Sequence, residues 1–466
     1  MSIQVVFLWS DILLWLLCFA ALVFGLRSMR VIHLARGWAK LARNPVATGT
    51  ATVLAAFLLV GLLDSLHYRE ALPPTSDIEQ NAEIRYGVEV ISALDYFLHP
   101  LRTQHEKTYS APFATRLYAM ESVETPTGVT RIYPRLAYGG AYLDDESDKM
   151  ADILTRLMTG IFLALILSAV LFIVFRHTLR TKYPGFAWQG MLAALCGIAL
   201  IFLPLFFLTD GYHALGTDKV GQDVLYQALK SVRTALIIGL VTTLVMLPIA
   251  VLLGIAAGYF RGWIDDIIQY IYTVLNSIPG VLLIAAAVLM MQVVIDTHPE
   301  WFSTAAERAD LRLLALCLIL GVTTWTSLAR LLRGETLKLR ELEYIEAARA
   351  FGVPSGRIII RHILPNLMHI VIIALVMDFS ALVLAEAVLS YVGIGVDPAT
   401  TSFGTMINNA RMELSREPAV WWSLAAAFSF MFALVLAANL FADAVRDAFD
   451  PRFEHAPTGG TCQSKG

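Results

Sequence analysis

Nine apolar runs alternate with polar segments along the 466-residue chain, at residues 5–26, 46–65, 153–175, 188–208, 231–258, 267–295, 311–329, 367–391 and 420–442. A helix needs about 20 apolar residues to cross the hydrocarbon core of a bilayer, and these runs have that length. The pattern predicts an all-α polytopic membrane protein with about nine spans. Pro248 predicts a kink in the fifth run, and Gly254 and Gly258, four residues apart, predict a face for close helix packing. Pro279-Gly280 interrupts the sixth.

The polar segments differ in character. Residues 27–45 carry Arg27, Arg30, Arg36, Lys40 and Arg43 and read as an amphipathic helix at the inner membrane surface. Residues 66–152 form a long insert of mixed charge. Ser76 and Glu79 fit a capping box for a helix reaching about Leu98, and the stretch with Tyr133, Tyr138 and Tyr142 reads as strand or irregular. The insert could be a docking surface for an outer partner or simply a packed loop, and both readings stand open.

The stretch from Glu341 to Asn366 is polar and lies between two spans. Leu342, Ile345, Ala348 and Phe351 recur every three residues, which places them on one face of a short helix. Gly352 and Pro354 stop it, Ser355 can cap a second short helix, and Pro365 opens the next apolar run.

Composition agrees with a membrane class: 57% of residues are hydrophobic and 16% charged, with mean hydropathy +0.64, against about 25% charged in soluble domains. A net charge of −3 excludes a basic nucleic-acid footprint. Cys18, Cys196 and Cys317 lie in apolar runs and Cys462 in the tail, so no disulfide framework is expected. No Lys or Arg precedes the first run, which therefore reads as a retained span, not a signal peptide. If that run only skims the interface, the count falls to eight.

Basic residues set the orientation. Five Lys/Arg lie in 27–45, three in 176–187, one in 259–266, seven in 330–365 and three in 444–466. The short alternate loops hold five: Lys219, Arg308, Arg312, Arg411 and Arg416. The bias puts the N-terminus outside, with the 341–366 loop and the C-terminus inside.

Glu346-Ala347-Ala348, then Gly352, then Leu364-Pro365 resembles the cytoplasmic coupling loop of ABC-importer permeases. Arg361-His362-x-Leu364-Pro365-Asn366 is similar to the C-type subunits of the dipeptide/oligopeptide (nickel) branch. Further matches follow in order: Leu41-Ala-Arg-Asn-Pro45 before a span, Gly216-Thr-Asp218 with Gly221-Gln-Asp223 (Gln222 where the family has Arg), Glu386 to Gly393, Ser402-Phe-Gly404 with Phe403 in place of Trp, and Arg446 to Arg452. The resemblance covers about 41–66 and 216–453.

The resemblance implies a type I importer core of six helices with extra N-terminal and inserted spans. The resulting division is 1–45 (extra span and basic segment), 46–66 (first core span), 67–152 (extracytoplasmic insert), 153–210 (two extra spans), 211–453 (core, with the coupling loop at 333–366) and 454–466 (cytoplasmic tail). It also implies a second permease subunit, two ATPase subunits carrying ATP and Mg, an extracytoplasmic substrate-binding protein, contact with membrane lipid, and a bacterial inner-membrane location. No cofactor or metal is expected on this chain itself, and no nucleic acid. Carried over residue by residue, ATPase coupling falls to Glu341, Tyr344, Glu346, Ala347, Ala348, Gly352, His362, Leu364 and Pro365. Peptides are the solute the branch implies; nickel, glycosides and antimicrobial peptides are carried by close relatives.

Asp378 and Glu386 fall within an apolar run and are candidates for the pathway or for helix–helix bonds, the second being preferred. The chain has no Gly-x-x-x-x-Gly-Lys phosphate loop, no His-Glu-x-x-His, no Cys-x-x-Cys and no Gly-x-Ser-x-Gly, so no catalytic set is visible. A transporter acting alone would need internal repeats and a carboxylate relay, and no clear repeat is seen.

Overall fold

The apolar runs become long helices in the computed structural model, which describes residues 3–30, 32–71, 86–87, 89–125, 128–179, 185–302 and 304–449. The capping box at Ser76 and Glu79, Arg180, Lys182, the end of the Arg446–Arg452 signature and the tail with Cys462 lie outside them. Among the described residues nine helical segments are long and apolar enough to cross a membrane.

A strand, β1 (Ile3–Val6), precedes α1 (Trp9–Ser28), α2 (Ile32–Arg43) and α3 (Pro45–Asp64). Pro45 opens α3, and Asn44 caps it by accepting from the Val46 N–H at 2.9 Å. β2 (His67–Glu70) runs antiparallel to β1, with Ile3 opposite Glu70 and Val6 opposite His67. β3 (Ile91–Ser92) adds a third strand. Two short helices follow, α4 (Ala93–Phe97) and α5 (His99–Thr103), then a hairpin of β4 (Glu121–Thr125) and β5 (Gly128–Ile132). The helix expected to reach Leu98 is therefore corrected over its described part. Asp64 at the end of α3 and Lys230 hold Ser92 and Asp95, so a strand and a separately capped turn form there.

α6 (Lys149–Val174) and α7 (Trp188–Thr209) make an antiparallel pair, and α7 packs on α3. α8 (Val224–Phe260) is the central element, a 37-residue helix continuous through Pro248. α9 (Trp263–Ser277) and α10 (Gly280–Thr297) are separated at Ile278-Pro279, so the sixth run is two helices, as its Pro-Gly break implies. α11 (Ala305–Thr324) and α12 (Thr326–Arg340) pack along α8. α13 (Glu343–Ala350), α14 (Ser355–Ile358) and a π-helical turn at Ile359–Ile363 lead into α15 (Leu364–Val392). α16 (Phe403–Glu413) and α17 (Trp422–Phe449) end the described chain.

Described residues of the insert pack onto the helices. Tyr109 is buried with Val224, Ala228, Met406 and Trp422 in one apolar cluster, and the Tyr118 and Trp422 rings meet edge to face at 4.9 Å. It is a packed cap on α8 and α17.

Candidate functional site

The loop from Glu341 to Asn366 hangs from α12. α13 buries one side chain, Ile345, which sits with Trp325, Leu328, Leu332, Ile358 and Ile363. Ala348 and Val353 pack at the edge of that cluster. The three-residue face predicted from the sequence is thus only half buried. Leu342 is exposed, and Phe351 is 87% exposed. The reason is geometric: the helix is little more than two turns long, and a step of three drifts round a 3.6-residue helix.

Gly352 ends α13 as the spacing predicts. Its φ is +75°, its N–H donates to the Arg349 carbonyl at 3.0 Å, and the Val353 N–H donates to the Ala348 carbonyl at 3.1 Å. That is the Schellman arrangement, completed by the apolar pair Ala348 and Val353. Ser355 does not cap α14; Pro354 holds the cap position and Ser355 is the first helical residue. Ile358 and Ile363, both fully buried, fasten the second half of the loop.

The structure brings Tyr344 and His362 together, with ring centroids 6.1 Å apart, and the Asn366 side-chain amide donates to the Tyr344 hydroxyl at 3.0 Å. Glu341 is tied to Arg261 at 2.6 Å, and Arg340 donates to the Tyr259 carbonyl at 2.8 Å. Arg333 forks onto Asp265 with bonds of 2.6 and 2.7 Å, and this holds the Asp265 carboxyl below its ordinary range. Leu364 is half-buried and Pro365 exposed. Glu346, Ala347, Ala350 and Phe351 are exposed together on the free side of α13. The result is a short helix held rigidly from behind and presenting small, acidic and aromatic groups outward.

Glu386 and Asp378 separate. Glu386 is buried and accepts from the hydroxyls of Ser390 at 2.6 Å and Ser402 at 2.9 Å, joining α15 to the cap of α16. It is a helix-to-helix tie. Asp378 is half-buried and has no hydrogen-bond or ion-pair partner among the described residues.

Sequence reasoning missed a polar lattice at the opposite end of α8. Arg233 donates to Asp11 Oδ1 through Nε at 2.9 Å and Nη2 at 2.6 Å. His67 Nδ1 lies 2.8 Å from Asp11 Oδ2. Ser10 bonds to Asp310 through its N–H and its hydroxyl. Lys230 reaches Asp64 at 2.8 Å and Asp95 at 3.0 Å, and the Tyr226 hydroxyl donates to Asp95 at 2.7 Å. Burial opposes the Asp95 charge, but Lys230, the Ser92 N–H and Tyr226 outweigh it and keep its carboxyl below the usual range. The one available signal was Asp11 and Arg233 lying inside or beside apolar runs, where a charge needs a partner.

The Gly216–Asp223 motif is a turn with Asp caps, as its composition predicts. Asp223 accepts from the Leu225 N–H at 2.8 Å and Asp218 from the N–H groups of Val220 and Gln222. Gly221 has φ +78°, and a Cβ there would lie 1.7 Å from the Glu106 carbonyl oxygen. His213 stands between Asp223 at 2.9 Å and Glu106 at 3.5 Å. Burial disfavours its charged form, but the two carboxylates raise its pKa to about 9. Glu106 also accepts from the N–H groups of Ala137, Tyr138 and Gly139. Burial opposes its charge too, yet these bonds and His213 lower its pKa to about 2.

Residues 250–455 match the family model described as "Binding-protein-dependent transport system inner membrane component". The chain is 34% identical over 239 residues to the oligopeptide transport system permease protein OppC of Mycobacterium tuberculosis, covering 51% of this chain and 76% of that protein. It is 34% identical over 244 residues to the glutathione transport system permease protein GsiD of Pectobacterium atrosepticum, covering 52% and 73%. It is 30% identical over 240 residues to the dipeptide transport system permease protein DppC of Bacillus subtilis, covering 52% and 69%. The matches span half of this chain, and the family model takes in α13, its Gly352 cap and α15. This chain is a multi-pass membrane protein and belongs to the family of binding-protein-dependent transport system inner membrane components.

Proposed function

We propose that the chain is the permease subunit of an ATP-driven importer for di- and oligopeptides, forming half of the pathway with a second permease. The observation that carries this reading is α13: a two-turn helix locked from behind by Ile345 and its Gly352 cap, with Glu346, Ala347 and Phe351 exposed. The relatives' names, oligopeptide, dipeptide and glutathione permeases, supply the solute class.

In this reading α13 docks on an ATPase partner that binds ATP and Mg. Tyr344, Glu346 and Ala347 face that partner, while Ala348, Leu364 and the bonds of Glu341 and His362 hold the loop in shape. Closure of the ATPase pair pushes the loop. Arg333–Asp265 and Arg340–Tyr259 pass the push to α9 and α8. A ligand or partner shifts a conformational equilibrium only through contacts that differ between its states, so a loosely held loop would dissipate it. The membrane is a bacterial inner membrane, with the loop and C-terminus cytoplasmic and the insert facing a substrate-binding protein outside.

The test is ATP-dependent uptake of labelled short peptides by the full assembly, with and without Glu346→Lys. Uptake lost in the variant while the complex still forms supports coupling through α13. Undiminished uptake refutes it. No peptide uptake by the unaltered assembly refutes the solute class.

A further inference from the structure

α15 carries a stripe of exposed residues, and Leu375, one turn before Asp378, is exposed outside it. Met377, Ala381, Leu384, Val388 and Tyr391 follow one another at steps of four and three, the spacing that keeps residues on one side of a helix. Met377, Leu384, Val388 and Tyr391 are between 42% and 51% exposed. Asp378 lies at the border of this stripe. It is the fifteenth of the helix's 29 residues, so either end of α15 is about 20 Å away at 1.5 Å per residue, too far for a short aspartate to reach the headgroups.

Four other carboxylates in the described spans are matched, and the exposed Asp443 and Asp447 lie within the last two turns of α17. Asp11 has Arg233 and His67, Asp64 has Lys230 and Ser92, Asp310 has Ser10, and Glu386 has two serine hydroxyls. Asp378 has none among the described residues. An unpaired carboxylate facing hydrocarbon at mid-depth is strongly disfavoured, and such residues face a bundle interior or a water-filled cavity. The stripe beside it therefore does not face lipid.

The geometry points to Asp378 as a specificity-determining residue: the α15 stripe lines a hydrated pathway, and Asp378 receives the ammonium or guanidinium groups of passing solutes. This rests on the permease reading above and adds to it a charge preference. A carboxylate in water at mid-path attracts a cation without holding it, since a contact pair in high dielectric is worth little more than a factor of five. A transporter needs that balance, because a tighter site would trap its cargo.

The experiment uses the complete assembly in membranes and has two arms. In the first, Asp378→Cys and Ala381→Cys are challenged with a membrane-impermeant cationic thiosulfonate, with fully buried Val383→Cys as the control. Labelling of the first two but not the third is expected. Labelling of Asp378→Cys and Ala381→Cys only after detergent unfolding overturns the hydrated pathway. In the second arm, uptake of lysine-containing peptides is compared with that of acidic peptides of equal length, in wild type, Asp378→Asn and Asp378→Glu. Asp378→Asn is expected to lower the cationic-to-acidic ratio about fivefold, with Asp378→Glu restoring much of it. An unchanged ratio at normal assembly overturns the charge preference. If wild type moves no peptide at all, the peptide reading falls, and the labelling arm still decides whether the stripe is hydrated.

Discussion

Gly352 offers the sharpest test of how α13 is held. No heavy atom lies within 4 Å of a Cβ built there, so a substitution costs nothing in space. What it costs is backbone. At φ +75° an L-residue pays about 1–2 kcal/mol relative to glycine. That energy weighs against the observed shape of the loop, and about 1–2 kcal/mol lowers its population relative to alternatives by roughly 5- to 30-fold. Asparagine tolerates the left-handed region better than alanine, and valine less. The expected order of coupled transport is therefore Gly352, then Gly352→Asn, then Gly352→Ala, then Gly352→Val. Gly352→Asp adds a charge and uncouples transport with the chain still inserted. The assay is peptide uptake per ATP hydrolysed in proteoliposomes, with complex recovery as the control for folding. If alanine matches glycine while asparagine is impaired, backbone strain is not the determinant and the argument fails.

The Glu106–His213–Asp223 clamp predicts a pH window. His213, raised from 6.5 to about 9, contributes stability that is complete below pH 6.5 and lost as pH rises through 9. Glu106, lowered from 4.5 to about 2, contributes stability that is complete above pH 4.5 and lost as pH falls through 2. The difference in detergent melting temperature between wild type and His213→Gln should therefore be largest between pH 4.5 and 6.5 and shrink by pH 9.5; a gap that widens with pH contradicts it. Asp11→Ala leaves Arg233 buried beside an empty partner site and should destabilise by about 3–5 kcal/mol, with the double change Asp11→Asn, Arg233→Gln costing less than Asp11→Ala alone. Denaturation in mild detergent reads both, and equal losses would mean that the unpaired Arg233 charge carries no penalty of its own.

What the sequence made legible was repetitive or local. Apolar length gave the spans, because lipid demands internally bonded helices. Gly352, Pro365 and Asp223 announced their roles because each satisfies a local backbone need. Glu386 and Asp378 looked alike in sequence and differ in space only because Ser390 lies one turn on and Ser402 returns from a distant loop to meet the first of them. The outer lattice was illegible for the same reason. Asp11 and Arg233 are 222 positions apart, and nothing local to either names the other. Glu106 is one charge among several in a mixed insert, and only the turn at Gly221, which closes over its backbone, marks it out.

The two ends of α8 connect these parts. Its C-terminal half is locked to α12, since a Cβ at Gly254 would lie 2.7 Å from the Ala329 carbonyl oxygen and one at Gly258 would lie 2.5 Å from Thr336 Cβ. The backbones can approach that closely only because both residues are glycine. α12 in turn packs against Ile345 of α13 and leads into the 341–366 loop. The N-terminal half of α8 carries Lys230 and Arg233, which bind the N-terminal span, the insert and the end of α3. At 1.5 Å per residue, 37 residues reach about 55 Å. In the proposed reading, a push on α13 would reach the Arg233 lattice along one continuous helix. The N-terminal span and the insert are bonded to α8, so in that reading they would travel with it.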